Sequence, residues 1–213
     1  MSGRPTTLGG SDHRFPGFDV LDNVKHWDQV TAGVVLSRLS FPPDVRFFTP
    51  AEFAVAEALV DQLLDQHDDP KVPVAQLIDS RLTERQTDGW RYEDMPHDDQ
   101  AWRDTLAHLD SDATARFDTG FGACTQPDQA ALIQAVQDLG SEQWHGLNAA
   151  HVWSLWTRYA CTAFYSHPWA WNEIGFSGPA YPRGYKNLGI NTVEKGEVRD
   201  AHPSADPAKR ASS

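Results

Sequence analysis

The sequence predicts a mainly α protein: an irregular bundle of about five to seven helices, with a long ordered aromatic loop rich in glycine and proline near the carboxy terminus. Three observations carry that expectation. Apolar residues recur at helical spacing, as in Phe53, Ala56, Leu59, Val60, Leu63 and Leu64, which places them on one stripe of a helix. Start signals stand directly before such segments, in Thr49-Pro50-Ala51-Glu52 and Thr125-Gln126-Pro127-Asp128. No segment alternates apolar and polar residues for long enough to make a half-buried strand.

The amino-terminal arm, residues 1–45, opens with a polar, glycine-rich stretch to residue 14 that reads as mobile. Trp27, Val30 and Val34 then fall at helical spacing, so a short helix is expected around Asp28 to Leu39, stopped by Pro42-Pro43. The arm has too few apolar positions to fold alone. It must lean on the rest of the chain or on another protein, and it reads as a docking segment.

A helical domain follows over residues 46–190. Its first helix starts at the Thr49 capping box and ends at the acidic run before Pro70. A second opens at Pro73 and buries Val74, Leu77, Ile78 and Leu82. Thr83 to Pro96 is a polar connection anchored by Trp90, Tyr92 and Met95. A third helix is expected from Asp98 to Leu109, with a separate short one from Ser111 to Phe121 closed by Gly120 and Gly122. The Thr125-capped helix turns Leu132, Ile133, Val136 and Leu139 inward and stops at Gly140. The last helix follows Asn148 and carries His151, Val152, Leu155, Trp156, Tyr159, Ala160, Ala163 and Phe164. It is apolar over more than one stripe, as suits a central helix.

That helix delivers the chain into Tyr165–Tyr185, which holds Tyr165, Trp169, Trp171, Phe176, Tyr181 and Tyr185 among three glycines, at 175, 178 and 184, and prolines at 168, 179 and 182. Proline removes an amide donor and clashes with the preceding turn, so the stretch reads as a loop. Two readings stand beside each other. The aromatics could pack on the chain's own core, or they could form a docking surface, since Trp, Tyr and Arg dominate binding hot spots. Residues 191–213 are charged, small and proline-punctuated, and read as a disordered tail.

Composition narrows the function classes. The 213 residues carry a net charge of -12, from 30 acidic and 18 basic side chains, which argues against a nucleic-acid or anionic-membrane partner. Ala32 to Leu36, the longest apolar run near the amino terminus, is far too short to insert in a membrane. With no targeting segment legible, the default location is the cytoplasm. Cys124 and Cys161 form neither CxxC nor CxxCH, so no thiolate zinc, iron–sulfur or c-type haem site is expected. They could pair in an exported protein, or stay free in a reducing compartment.

Catalytic motifs are sparse. Gly120-Phe121-Gly122 sits between helices and lacks the third glycine of a dinucleotide turn, so no cofactor is expected in this chain. His145, His151 and His167 are spaced too widely for adjacent helical turns. Asp65, Asp68 and Asp69 lack calcium-loop spacing. Glu173 stands out because it lies among aromatics, where it could cap backbone amides. The residues therefore favour binding over catalysis. A helical metal protein or enzyme using His151, His167 and Glu173 is the alternative, and a helical adaptor without a redox role is another.

FTPAEFAVAEALVDQLL, QLIDSRL, TQPDQAALIQAV and FYSHPWAWNEIGFSGPAYPRGY, in that order, resemble the gluconate 2-dehydrogenase subunit 3 family over about residues 46–190. The block ending in GFSGPAYPRGY is the most specific part, and HWDQVTAGVVLSRL looks like the arm of soluble members. The resemblance implies a non-catalytic small subunit. Its partner would be a large flavoprotein of the glucose-methanol-choline type, which carries the FAD and oxidises the carbohydrate. The small subunit would support that partner's folding, maturation or export. Many members begin with a twin-arginine signal that is not seen here, so stabilisation of the large subunit is the expected role. Export would then depend on a signal in the partner, and a cytochrome subunit is not implied. The expected interface comprises Trp27, Trp169, Trp171, Asn172, Glu173, Phe176, Pro179, Tyr181, Pro182, Arg183 and Tyr185.

Overall fold

The computed structural model describes residues 14–40, 42–187, 189–190, 192–194 and 196–204. Of the start expected to be mobile, residues 1–14, only Arg14 is described; residues 1–13 and the end of the expected tail, residues 205–213, lie outside the described residues. Seven α-helices and one two-stranded hairpin appear among the described residues, so the chain is mainly α. They fall into two compact units that interleave along the chain. One draws on Met1–Phe41, Asp68–Val72 and Tyr165–Ser213, the other on Pro42–His67 and Pro73–Phe164.

The larger, helical unit is built from capped helices. Helix α2, Pro50–Leu64, starts with the expected capping box, in which Thr49 Oγ1 accepts from the Glu52 amide and the Glu52 carboxylate accepts from the Thr49 amide. Asp65 ends it in the left-handed region. Helix α3, Val74–Thr83, carries Asp79, which is fully buried. Its carboxylate accepts the amides of Arg46, Phe47 and Phe48 at 2.7, 2.9 and 2.8 Å, satisfying the stretch that leads into α2.

Between residues 98 and 121 one α-helix stands where two were expected. Helix α4 runs unbroken from Asp98 to Phe117. Nothing around Asp110 and Ser111 breaks a helix, and Ser and Asp are tolerated there when their side chains face outward. Asp118, at φ +56°, ends it instead. Asp110 then accepts the Phe121 amide at 2.8 Å, which ties the following 3-10 turn back to α4.

Helix α5, Gln126–Asp138, is capped by Thr125 as expected. Strands β1, Gln143–Trp144, and β2, Leu147–Asn148, make a tight antiparallel hairpin. Helix α6 runs Ala149–Tyr165. Helix α2 packs on α3, α4 and α5. The core between α4 and α6 is aromatic: Trp102 meets Tyr159 edge-on at 5.7 Å, and Trp156 Nε1 donates to the buried Thr105 hydroxyl at 3.1 Å. Of the three anchors expected in the 83–96 connection, Met95 is buried, whereas Trp90 and Tyr92 are exposed.

The second unit joins segments far apart in sequence. A 3-10 helix, Val20–His26, is followed by helix α1, Gln29–Ser37, which Asp28 caps by accepting the Thr31 amide. From the other end of the chain comes helix α7, Pro168–Ile174. This helix corrects the loop reading of 165–185. Pro168 takes the first helical position, where its missing N–H costs nothing, His167 accepts the Trp169 amide, and Gly175 closes the helix at φ +67°. Proline and glycine here bound a helix of two turns instead of forbidding one. The described residues beyond 190 form no helix or strand, yet they are not without contacts. Glu194 accepts the amides of Lys186 and of Asn187, Ala201 N donates to Arg14 O at 2.9 Å, and Arg14 pairs with Asp200.

Candidate docking surface

Helix α7 sorts the expected interface residues onto two sides. Trp171 is 5% exposed and forms a small core with Val20 and Val35, against which Phe18, Leu21 and Trp27 pack. Its indole Nε1 donates to Tyr165 O at 2.7 Å, and the Arg38 guanidinium lies 5.6 Å from its ring centre. Asn172 is also buried, and its side-chain oxygen accepts the Val20 amide at 2.8 Å. That bond satisfies a donor at the start of the 3-10 helix, where no backbone acceptor is available.

The two glycines of Gly175-Phe176-Ser177-Gly178 are seats for aromatics of the arm. A Cβ on Gly175 would stand 2.6 Å from Phe15 Cε1, and one on Gly178 would collide with the ring of Trp27. Both residues also have positive φ, which penalises any side chain. Asn23 adds a polar clamp: its amide donates to Ser177 O at 3.1 Å and to Gly196 O at 3.3 Å. The arm therefore leans on the carboxy-terminal segment of its own chain.

Trp27, Trp171 and Asn172 thus hold this unit together. Trp169, Glu173, Pro179 and Arg183 are half-buried. Phe176, Tyr181, Pro182 and Tyr185 face solvent, with Tyr181 65% and Tyr185 59% exposed. The backbone under the two tyrosines is fixed. Gly184 N donates to Ala180 O at 2.6 Å, and the buried Glu194 accepts the Lys186 and Asn187 amides. Those amides hold the Glu194 carboxyl below the usual range, so it stays charged and bonded. Other exposed apolar residues of the same unit include Val30 and Val34 on α1, one helical turn apart.

The residues of the alternative reading have structural partners. His167 is buried, accepts the Trp169 amide through Nδ1 and bonds the Arg38 backbone. Burial pushes its pKa down to about 4, so the ring is neutral at pH 7. His151, in the helical unit, pairs with Asp94 at 2.8 Å and stacks face to face on Tyr92. Among the described residues, no group of three His, Cys, Asp or Glu side chains is arranged to hold a metal ion. No helix among them is long and apolar enough to cross a membrane. Cys124 and Cys161 are both free thiols, and burial pushes the pKa of each upward.

Sequence reasoning missed the division of labour within the aromatic stretch. The usable signal was the three-residue spacing of Gly175 and Gly178, because paired glycines mark close approach by something bulky. It also missed a half-buried ionic cluster in the helical unit. There Asp88 pairs with both Arg81 and Arg158, and Tyr159 donates to the buried Asp98 at 2.7 Å. Trp90 lies over the Arg158 guanidinium at 4.7 Å, and this explains how a half-exposed tryptophan is held in a polar loop.

A family model described as gluconate 2-dehydrogenase subunit 3 matches residues 50–178. The match covers most of the helical unit, all of α7 and both glycine seats. No curated protein and no solved structure matches the chain.

Proposed function

The chain belongs to the gluconate 2-dehydrogenase subunit 3 family, and on that premise we propose that it is a non-catalytic small subunit of a flavin-dependent sugar or sugar-acid dehydrogenase. It binds the large subunit of the glucose-methanol-choline type, which carries the FAD, and stabilises or matures it. The observation that supports this reading is the exposed aromatic loop. Phe176, Tyr181 and Tyr185 stand in solvent on a backbone already pinned by Glu194 and Gly184. A preset backbone lowers the ordering cost of binding, and exposed tyrosines supply large contact area with two rotatable bonds each. The docking surface is therefore the outer face of the carboxy-terminal loop, with Trp27 and Trp171 supporting it from within.

Tyr181→Ala and Tyr185→Ala test this directly. Each should weaken affinity for the flavoprotein roughly thirtyfold, about 2 kcal/mol, while thermal unfolding of the isolated subunit stays unchanged. Unaltered affinity in both variants would overturn the assignment of the surface. The isolated chain should also carry no flavin, with the flavin absorbance appearing only when the large subunit is present. Stoichiometric flavin in the isolated chain would defeat the non-catalytic reading.

A further inference from the structure

The hairpin of β1 and β2 meets α4 through ionisable groups that the proposed function does not use. Its turn, His145-Gly146, has positive φ at both positions, +50° and +82°, the two-residue geometry that matches strand twist. Histidine is among the non-glycine residues that enter that conformation most often, and here its ring is supported as well. The support comes from α4. His145 stacks on His108, with ring centres 4.5 Å apart and planes 6° from parallel. Its Nε2 lies 2.7 Å from Asp112 Oδ1, while Asp112 Oδ2 accepts from Trp144 Nε1 at 2.8 Å. Trp144 is buried, edge-on to His108 at 5.7 Å and to Trp156 of α6 at 5.6 Å.

Three ionisable groups act on His108: Asp104 and Asp112, one turn away on either side along α4, and His145 from the hairpin. Burial and His145 oppose its protonation, the two aspartates favour it, and the opposing pair prevails. The arrangement suits one imidazolium at most. Two would stand face to face at 4.5 Å. The carboxylate bonded to His145 is also engaged by the Trp144 indole.

We propose that His108, His145 and Asp112 form an acid-sensitive clasp, which holds the hairpin on α4 while no more than one imidazole is charged and releases it when both are. Release acts on the entrance of α6, because Ala149 N donates to Glu142 O across the base of the hairpin at 2.9 Å. The clasp works within the folded subunit and does not depend on the identity of the partner.

Hydrogen exchange of the full chain at about pH 7.5 and about pH 5, corrected for the intrinsic pH dependence, reads the clasp across residues 142–149. Protection there should fall roughly tenfold or more at the lower pH. In His108→Asn, which cannot place a second charge, protection should be the same at both. No fall in the unsubstituted chain, or an equal fall in His108→Asn, would overturn the proposal. A second measurement works even if that variant folds poorly. Nuclear magnetic resonance titration of the His108 ring should move to higher pH in His145→Asn, and an unmoved titration would overturn the coupling.

Discussion

The helical unit buries most of its largest aromatics and leaves Trp90 and Tyr92 exposed, whereas the unit formed largely by the two chain ends displays many of its own. Trp102, Trp144, Trp156, Tyr159 and Phe121 are all buried in the first. In the second, Trp171 is buried, but Phe176, Tyr181, Tyr185, Val30 and Val34 are exposed. The cores differ to match. Long helices bury whole stripes and need few polar supports beyond Asp79 and the Asp88 cluster. The terminal unit has a core of Val20, Val35 and Trp171, with side-chain-to-backbone bonds from Asn23, Asn172, Arg38 and Trp171 around it. A small core leaves apolar area free for a partner, and its specificity comes from polar clamps and glycine seats. Under the proposed function, that is the division between a scaffold and a binding element.

The comparison makes the units respond differently to damage. Trp171→Ala should have the largest effect. It removes the biggest side chain from a core with few members, at about 3–5 kcal/mol. Hydrogen exchange should show lost protection over residues 14–37 and 168–178. The helical unit should keep its own protection, and equal loss in both would erase the distinction. Trp171 therefore reports stability, and its truncation is no test of the interface.

Asp79→Ala is the matching lesion in the helical unit, expected to cost about 3 kcal/mol or more, because it leaves three backbone amides without their acceptor. Its protection loss should centre on residues 46–64 and spare the terminal unit. Asp79→Asn should recover part of it, since an amide oxygen can still accept.

In the terminal unit, acid acts through His167. Its pKa in the folded chain is depressed to about 4, below the ordinary value of 6.5. The unfolded chain therefore takes up a proton that the folded one refuses, and stability falls as pH drops from about 6.5 toward 4. The loss reaches about 3 kcal/mol at the bottom of that window. Thermal melts across it, compared with His167→Gln, should show a shallower dependence in the variant. An identical slope would mean that another group carries the effect.

Gly178→Ala should be the mildest, at about 1–3 kcal/mol. The methyl group meets a positive φ and the seated Trp27 ring together. Arm protection should drop while α7 remains formed. Loss confined to the glycine's own turn would show that Trp27 is not held there.

Much of this architecture was legible from short-range sequence. The Thr49 and Thr125 caps, the apolar stripe of α2, the stop at Gly140 and the many-sided α6 all depend on residues within one or two turns of each other, where side-chain geometry alone decides. The merged α4 was missed because a serine and two aspartates weaken a helix without ending it, so only the left-handed turn at Asp118 sets its limit. The α7 helix was missed because Pro168 was weighed as a breaker, though at the first helical position it is a starter. The aromatic surface was identified as a stretch, and the family through its motifs.

What the tertiary structure decided is which aromatics face inward. Trp171 and Tyr181 sit in the same proline-punctuated stretch and are chemically alike as candidates for burial. Their fates differ because Val20, Val35 and Trp27 arrive from more than 130 residues earlier in the chain to cover one of them. The same holds for Asp79, whose three amide partners come from another segment, and for His108, whose neighbour His145 comes from a hairpin. Local pattern determines which elements form. Contacts between residues distant in sequence determine what each element buries, because that choice depends on partners the local chain does not contain.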